Sequence, residues 1–206
     1  MLAYIIEGLV FGMGLAVSLG PIFIALTQTS IEEGVKPGLT VGLGIWISDI
    51  LFIALFYNFI SSIKGDIENE TFKFWIGISG ALIMFGFGLF LILKKPVIDY
   101  TNRKHNYKNY IGFWLKGFLV NSINPFTLFF WMGVMSTYII GREITHDQAI
   151  VLLTTILTVI IISDAGKVFL ASALKNSLTP SHVNKISNFS GVILIGFGVF
   201  MAYQVL

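Results

Sequence analysis

Six long apolar runs, each with few or no charges, divide the chain at about 8–31, 37–60, 74–93, 117–140, 148–171 and 186–206. A helix needs about 20 consecutive apolar residues to cross the hydrocarbon core of a bilayer, so each run predicts one transmembrane helix. The segments between them are short and polar. Residues 32–38 read as a turn punctuated by Gly34, Pro37 and Gly38, and 61–73 mixes charges of both signs. The longest connector, 96–111, is polar and aromatic, and 142–147 is a short outward turn. The pattern predicts an all-α polytopic membrane protein of six spans, with almost no mass outside the membrane.

The runs also echo one another. The first and fourth are interrupted by proline, in Ser18-Leu19-Gly20-Pro21 and Ser122-Ile123-Asn124-Pro125. Proline removes a backbone N–H and clashes with the carbonyl four residues back. In lipid such a break survives only where protein or a watery cavity serves the freed groups. Gly20 and Asn124 suit the N-cap of a new half-helix, with Pro21 and Pro125 at its first position. The second and fifth runs share Ser48-Asp49 and Ser163-Asp164, and the third and sixth share Gly86-Phe87-Gly88 and Gly196-Phe197-Gly198. Three echoes in one order predict two repeats of three helices, about 1–95 and 112–206, joined by a cytoplasmic loop at about 96–111, in a single transporter domain. Because three is odd, the second repeat is inverted, with helices one and four broken at proline. That is the design of many secondary transporters.

Composition narrows the function. Of 206 residues 55% are hydrophobic and only 12% charged, about half the charge of a soluble domain, which leaves no room for a soluble catalytic or nucleotide-binding domain. Counted through alternate loops, one side holds nine basic residues: Lys36, Lys94, Lys95, Arg103, Lys104, Lys108, Lys116, Lys175 and Lys185. The other holds Lys64, Lys73 and Arg142. This bias marks the nine as cytoplasmic and puts both termini outside; the lysines thus read as topogenic, with no nucleic-acid partner. Cysteine is absent, so thiol redox chemistry and thiolate metal sites are excluded. No histidine cluster or nucleophile–base arrangement suggests an enzyme, and no cofactor is expected. The N-terminus lacks a basic region and a cleavage site, so the first span is expected to be retained, and the short loops suit a bacterial inner membrane.

The candidate chemistry is acidic and central. Asp49 and Asp164 lie well inside apolar runs, where an ionisable residue is a functional hypothesis by default. Lys167 follows Asp164 at a spacing that shares a helix face, so the two can pair; a structural ion pair and a coupling or substrate site both stay open. Half-helices starting at Pro21 and Pro125 would aim unpaired N–H groups and partial positive charge at a carboxylate. Ser18, Gly20, Asn121 and Asn124 flank those starts and complete the expected substrate and ion site.

Gly20-Pro21, Ser30, Gly34, Gly38-Leu39, Gly42-Leu43-Gly44 and Asp49, followed by Asn124-Pro125 and a Phe-rich stretch, resemble the LysE-type amino-acid exporters over nearly the whole chain. The resemblance implies a bacterial inner-membrane efflux protein for amino acids or related small molecules, driven by the proton motive force. It also implies that Gly20-Pro21, Asp49, Asn124-Pro125 and Asp164 are tied to transport. Ser48 replaces the familiar glycine of that family, and Lys167 adds a charge its better-known members lack. The partners expected are a small-molecule substrate, protons and the lipid bilayer. The rival reading is an ion channel or ion-translocating subunit, with the broken helices lining a pore. Glycine motifs such as Gly8 and Gly12 permit a homodimer without requiring one.

Overall fold

A computed structural model describes residues 1–17, 20–59, 70–93, 109–174 and 180–205. The described residues form eight α-helices and no strand: α1 (Leu2–Val17), α2 (Pro21–Glu33), α3 (Val35–Phe59), α4 (Glu70–Leu93), α5 (Tyr110–Ser122), α6 (Pro125–Met135), α7 (His146–Ala173) and α8 (Pro180–Val205). A π-helical stretch, Ser136–Gly141, continues α6. Four helices, α3, α4, α7 and α8, are long and apolar enough to cross a membrane alone. Two bent pairs bring the number to six if each pair is one span: α1 with α2 at 67°, and α5 with α6 at 61°.

The helices outrun the apolar windows that announced them. Val35 to Gly38 belong to α3, and Tyr110 and Ile111 to α5, where turns were expected. Only Gly34 separates α2 from α3, at φ 98°, a left-handed conformation that suits glycine. Pro37 is tolerated because it falls in the first turn of α3, where N–H groups have no helical partner. At α5, the Asn109 side chain accepts a hydrogen bond from Gly112 N at 3.2 Å and starts the helix there. Thr145 and Gln148 form a reciprocal capping box that starts α7. Helix ends carry polar and charged residues, so a hydropathy window stops short of them. Lys36, Lys116 and Lys185 accordingly lie within helices rather than in connectors. Ser18, Lys94, Lys95, Lys175 and, of the connectors expected at 61–73 and 96–111, residues 61–69 and 96–108 lie outside the described residues, while 70–73 with Lys73 belong to α4.

Three helix pairings build the fold: α1 on α7, α3 on α5, and α4 on α8. Glycine lets each pair approach to backbone contact. A Cβ on Gly117 would press on the Val41 carbonyl, and one on Gly44 on the Trp114 carbonyl. Gly8 and Gly12 meet Thr155 and Val159 of α7, so their small-residue face is occupied within the chain and gives a dimer no support. Helix α2 lies among α3, α5 and α7. Its Leu26 is buried with Val41, Ile45 and Val168, and Trp131, Met135, Leu152 and Ile156 form the neighbouring core. Apolar side chains such as Leu82, Ile111, Ile162 and Val199 face outward, as lipid contact requires.

Candidate functional site

The N-termini of α2 and α6 lie close together, with Gly20, Pro21, Asn124 and Phe126 lining a common space. Gly20 is the N-cap of α2, in extended backbone with no side-chain cap, and Pro21 takes the first helical position. Asn124 caps α6 ahead of Pro125 and accepts a hydrogen bond from Phe126 N at 3.2 Å. The two starts therefore differ: one is stitched by its own side chain, the other has bare backbone.

From Asn124 a chain of hydrogen bonds runs to the first acid. Asn124 Nδ2 donates to Thr127 Oγ1 at 3.0 Å, and Thr127 Oγ1 donates to Asn121 Oδ1 at 2.9 Å. Asn121 Nδ2 donates to Asp49 Oδ1 at 2.9 Å and to the Ile45 carbonyl at 3.1 Å. The Trp131 indole N–H donates to the same Asp49 oxygen at 2.9 Å. Every side chain in this network is at most 4% exposed, and the amide and hydroxyl groups of Asn121, Asn124 and Thr127 all have partners, which narrows the arrangements open to it. Among the described residues, Asp49 Oδ2 receives no hydrogen bond. Ser48 and Ser122 add a hydroxyl pair at 2.9 Å beside it.

The second acid is held differently. Lys167 Nζ donates to Asp164 Oδ1 at 2.8 Å, and the Trp46 indole N–H reaches Oδ2 at 3.2 Å. Asp164 is 2% exposed and the Lys167 side chain 13%. Each buried carboxylate thus takes an indole donor from a distant helix: Asp49 on α3 from α6, and Asp164 on α7 from α3.

Gly20, Asp49, Asn121, Asn124, Asp164 and Lys167 line one cavity with Leu15, Ala16, Ile22, Ile45, Phe126 and Ile160. Its volume is about 20 Å³, room for one water or so and not for an amino acid. An adjoining smaller space is bounded by Gly20, Pro21, Asn124 and Phe126 with Ser190, Ile193 and Leu194 of α8. Of the residues expected from sequence, six share the central cavity and Pro21 borders the next one. Pro125 is buried at the first position of α6 and lines neither. Ser18 is outside the described residues. The sequence reading missed Thr127, Trp46 and Trp131 as site residues. The only available signal was a polar atom within an apolar run, and indoles are too common in membrane helices for that to stand out. Among the described residues no group of three or more His, Asp or Glu side chains is arranged to hold a metal ion.

The LysE type translocator family model matches residues 13–205. A Bacillus subtilis protein named "Putative amino acid efflux protein YcgF" is 24% identical over 199 residues, covering 95% of this chain and 93% of its own. An uncharacterized membrane protein of Synechocystis is 28% identical over 182 residues, covering 86% of this chain and 85% of its own. No solved structure matches significantly.

Proposed function

Because the chain belongs to the LysE type translocator family, we propose that this multi-pass membrane protein exports an amino acid or related small metabolite across the bacterial inner membrane, coupled to proton entry. The observation that carries this is the meeting of two buried carboxylates, Asp49 and Asp164, at one cavity bordered by proline-initiated half-helices. The Bacillus relative's name points the same way.

In this reading each bent pair is one broken span, and the chain is two inverted repeats, about 1–95 and 112–206, forming one transporter domain with both termini outside. Equivalent packing supports it. The Ser-Asp echo aligns 49 with 164 and therefore 41 with 156. Gly117 lies on the Val41 carbonyl, and Gly12 lies on the Ile156 carbonyl. The Gly-Phe-Gly echo aligns 88 with 198, 81 with 191 and 85 with 195. A Cβ on Gly88 would sit 2.6 Å from Gly191 O and 3.1 Å from Ile195 N; on Gly198, 2.8 Å from Ala81 O and 3.2 Å from Phe85 N. The second set of contacts exchanges when the repeats exchange, and the first does so to within one residue, since the proline echo aligns 117 with 13.

The substrate carboxylate meets the N–H groups of α2, whose start at Gly20 has no side chain to satisfy them. Asp49, with one oxygen holding two donors and the other receiving none among the described residues, carries the coupling proton. Asp164, beside Lys167, is the permanent anion that receives the substrate ammonium. The small cavity, about 20 Å³, fits a state with little room for substrate, and in this reading rocking of one repeat against the other opens the site to either side.

The reading is tested by comparing metabolites of medium and cytosol with and without expression, for wild type and Asp49→Asn. Wild type should accumulate one compound outside, and Asp49→Asn should cut that export at least about tenfold at equal membrane abundance, as loss of an intramembrane ionisable group predicts. Undiminished export by Asp49→Asn removes Asp49 from the mechanism. Conductance that does not saturate with substrate overturns the transporter reading in favour of a channel.

A further inference from the structure

We propose that Lys167 is a tethered stand-in for the substrate's ammonium group, and that its displacement makes a substrate carboxylate obligatory. The proposal rests on the exporter reading above and adds a specificity-determining residue to it. The two oxygens of Asp164 have separate tasks. Trp46 holds Oδ2 at 3.2 Å, a neutral donor that orients the carboxylate, while Lys167 Nζ takes Oδ1 at 2.8 Å. An ammonium has three hydrogens to donate, and among the described residues Lys167 gives one of them, to Asp164. Both residues line the central cavity, so the remaining donors are within reach of whatever enters it.

Space makes displacement necessary. With Lys167 in place the cavity measures about 20 Å³, and even glycine is several times larger than a water molecule. Swinging the flexible lysine side chain away enlarges the cavity and frees Oδ1 for an incoming ammonium. That exchange leaves the lysine charge buried without its partner, which is strongly unfavourable. A substrate with its own carboxylate repairs this, because that carboxylate, seated at the start of α2, also accepts from the displaced Lys167 as its ammonium replaces Lys167 on Asp164; Gly20 and Lys167 line the same cavity. Two opposite charges become four, all paired. An amine of the same size without the carboxylate strands Lys167 and is rejected. Trp46 keeps Asp164 aimed throughout, as a positioning residue.

The test uses full-length protein in proteoliposomes loaded with two probe sets: a mixture of the common L-amino acids, and a mixture of the amines that their decarboxylation gives. Efflux of each is read by mass spectrometry. Wild type is expected to export at least one amino acid and to prefer it over its amine by on the order of 10². Lys167→Met is expected to reduce that preference at least about tenfold, and Lys167→Arg to retain most of it. A Lys167→Met protein that exports with wild-type preference overturns the proposal. Should Lys167→Met fail to give monodisperse protein, Lys167→Gln decides by the same readout, since it keeps Asp164 and a neutral donor beside it while removing the charge. A purely structural pair predicts that Lys167→Gln exports with normal preference, which overturns the proposal; a preference reduced at least about tenfold supports it. Wild type that exports neither set removes the amino-acid cargo on which the proposal rests and overturns the proposal, while the metabolite comparison above decides separately whether the protein exports at all.

Discussion

The side chains around Asp49 show how a membrane protein accommodates a mid-helix acid. Asn121, at 0% exposure, is used on both ends: its amide donates to Asp49 and Ile45, and its oxygen accepts from Thr127. Trp131 brings a second donor to the same carboxylate oxygen. Trp131→Phe keeps an aromatic ring and deletes that donor. It should lower stability by about 1–3 kcal/mol, the cost of leaving a buried acceptor short of a partner, read as a lower thermal midpoint in detergent. An unchanged midpoint would mean the indole bond contributes nothing to holding Asp49. The acids themselves were legible in the sequence, because a charge inside an apolar run is conspicuous and expensive. Their indole partners were not. Trp46 bonds a residue 118 positions away and Trp131 one 82 positions away, and nothing local to either tryptophan encodes that distance.

At the level of helices, proline chemistry and glycine packing each set a different feature. Pro21 and Pro125 both stand at the first helical position, of α2 and α6, where a missing N–H costs little. That much could be read from residue type and the neighbouring Gly20 and Asn124. The starts of α3 and α5 could not, because helical hydrogen bonding continues through polar residues that hydropathy discounts. The capping box of Thr145 and Gln148 was present in the sequence as Thr-x-x-Gln, a short signal that marks the start of α7 better than hydropathy does. Glycine sets how closely the helices approach. Gly117→Ala would drive a methyl group into the Val41 carbonyl, a backbone atom that cannot rotate aside. Gly133→Ala meets nothing within 4 Å and gains helix propensity of about 1 kcal/mol. Gly117→Ala should therefore lower the thermal midpoint, by about 1–3 kcal/mol of overpacking, while Gly133→Ala leaves it unchanged or raises it. Equal behaviour of the two variants would show that α3 and α5 do not pack at this distance.

Across the whole molecule, side-chain bonds tie the first half of the chain to the second at both ends. At one end Arg142 Nη1 donates to both Glu7 carboxylate oxygens, at 2.9 and 3.1 Å, and its guanidinium lies 4.6 Å over the Tyr138 ring. Nearby, the Tyr57 hydroxyl pairs with His146 Nδ1 at 2.7 Å. At the other end Lys116 Nζ donates to Thr29 Oγ1 at 2.9 Å, joining α5 to α2. In the proposed orientation the first group faces outside and the second the cytoplasm, with the small cavity between them. Alternating access requires each closure to open in turn, because a route open at both ends would dissipate the proton gradient. The absence of cysteine makes this directly testable, since only introduced thiols react. Glu7→Cys/Arg142→Cys and Thr29→Cys/Lys116→Cys, each bridged by a reducible bifunctional thiol reagent, should lose at least about tenfold in export and recover it on reduction, as expected when a required opening is blocked. Both bridges matter to the argument. Export that survives quantitative bridging at one end would place the moving boundary elsewhere, whereas inhibition by both means that neither half of the chain can carry substrate through while held to the other.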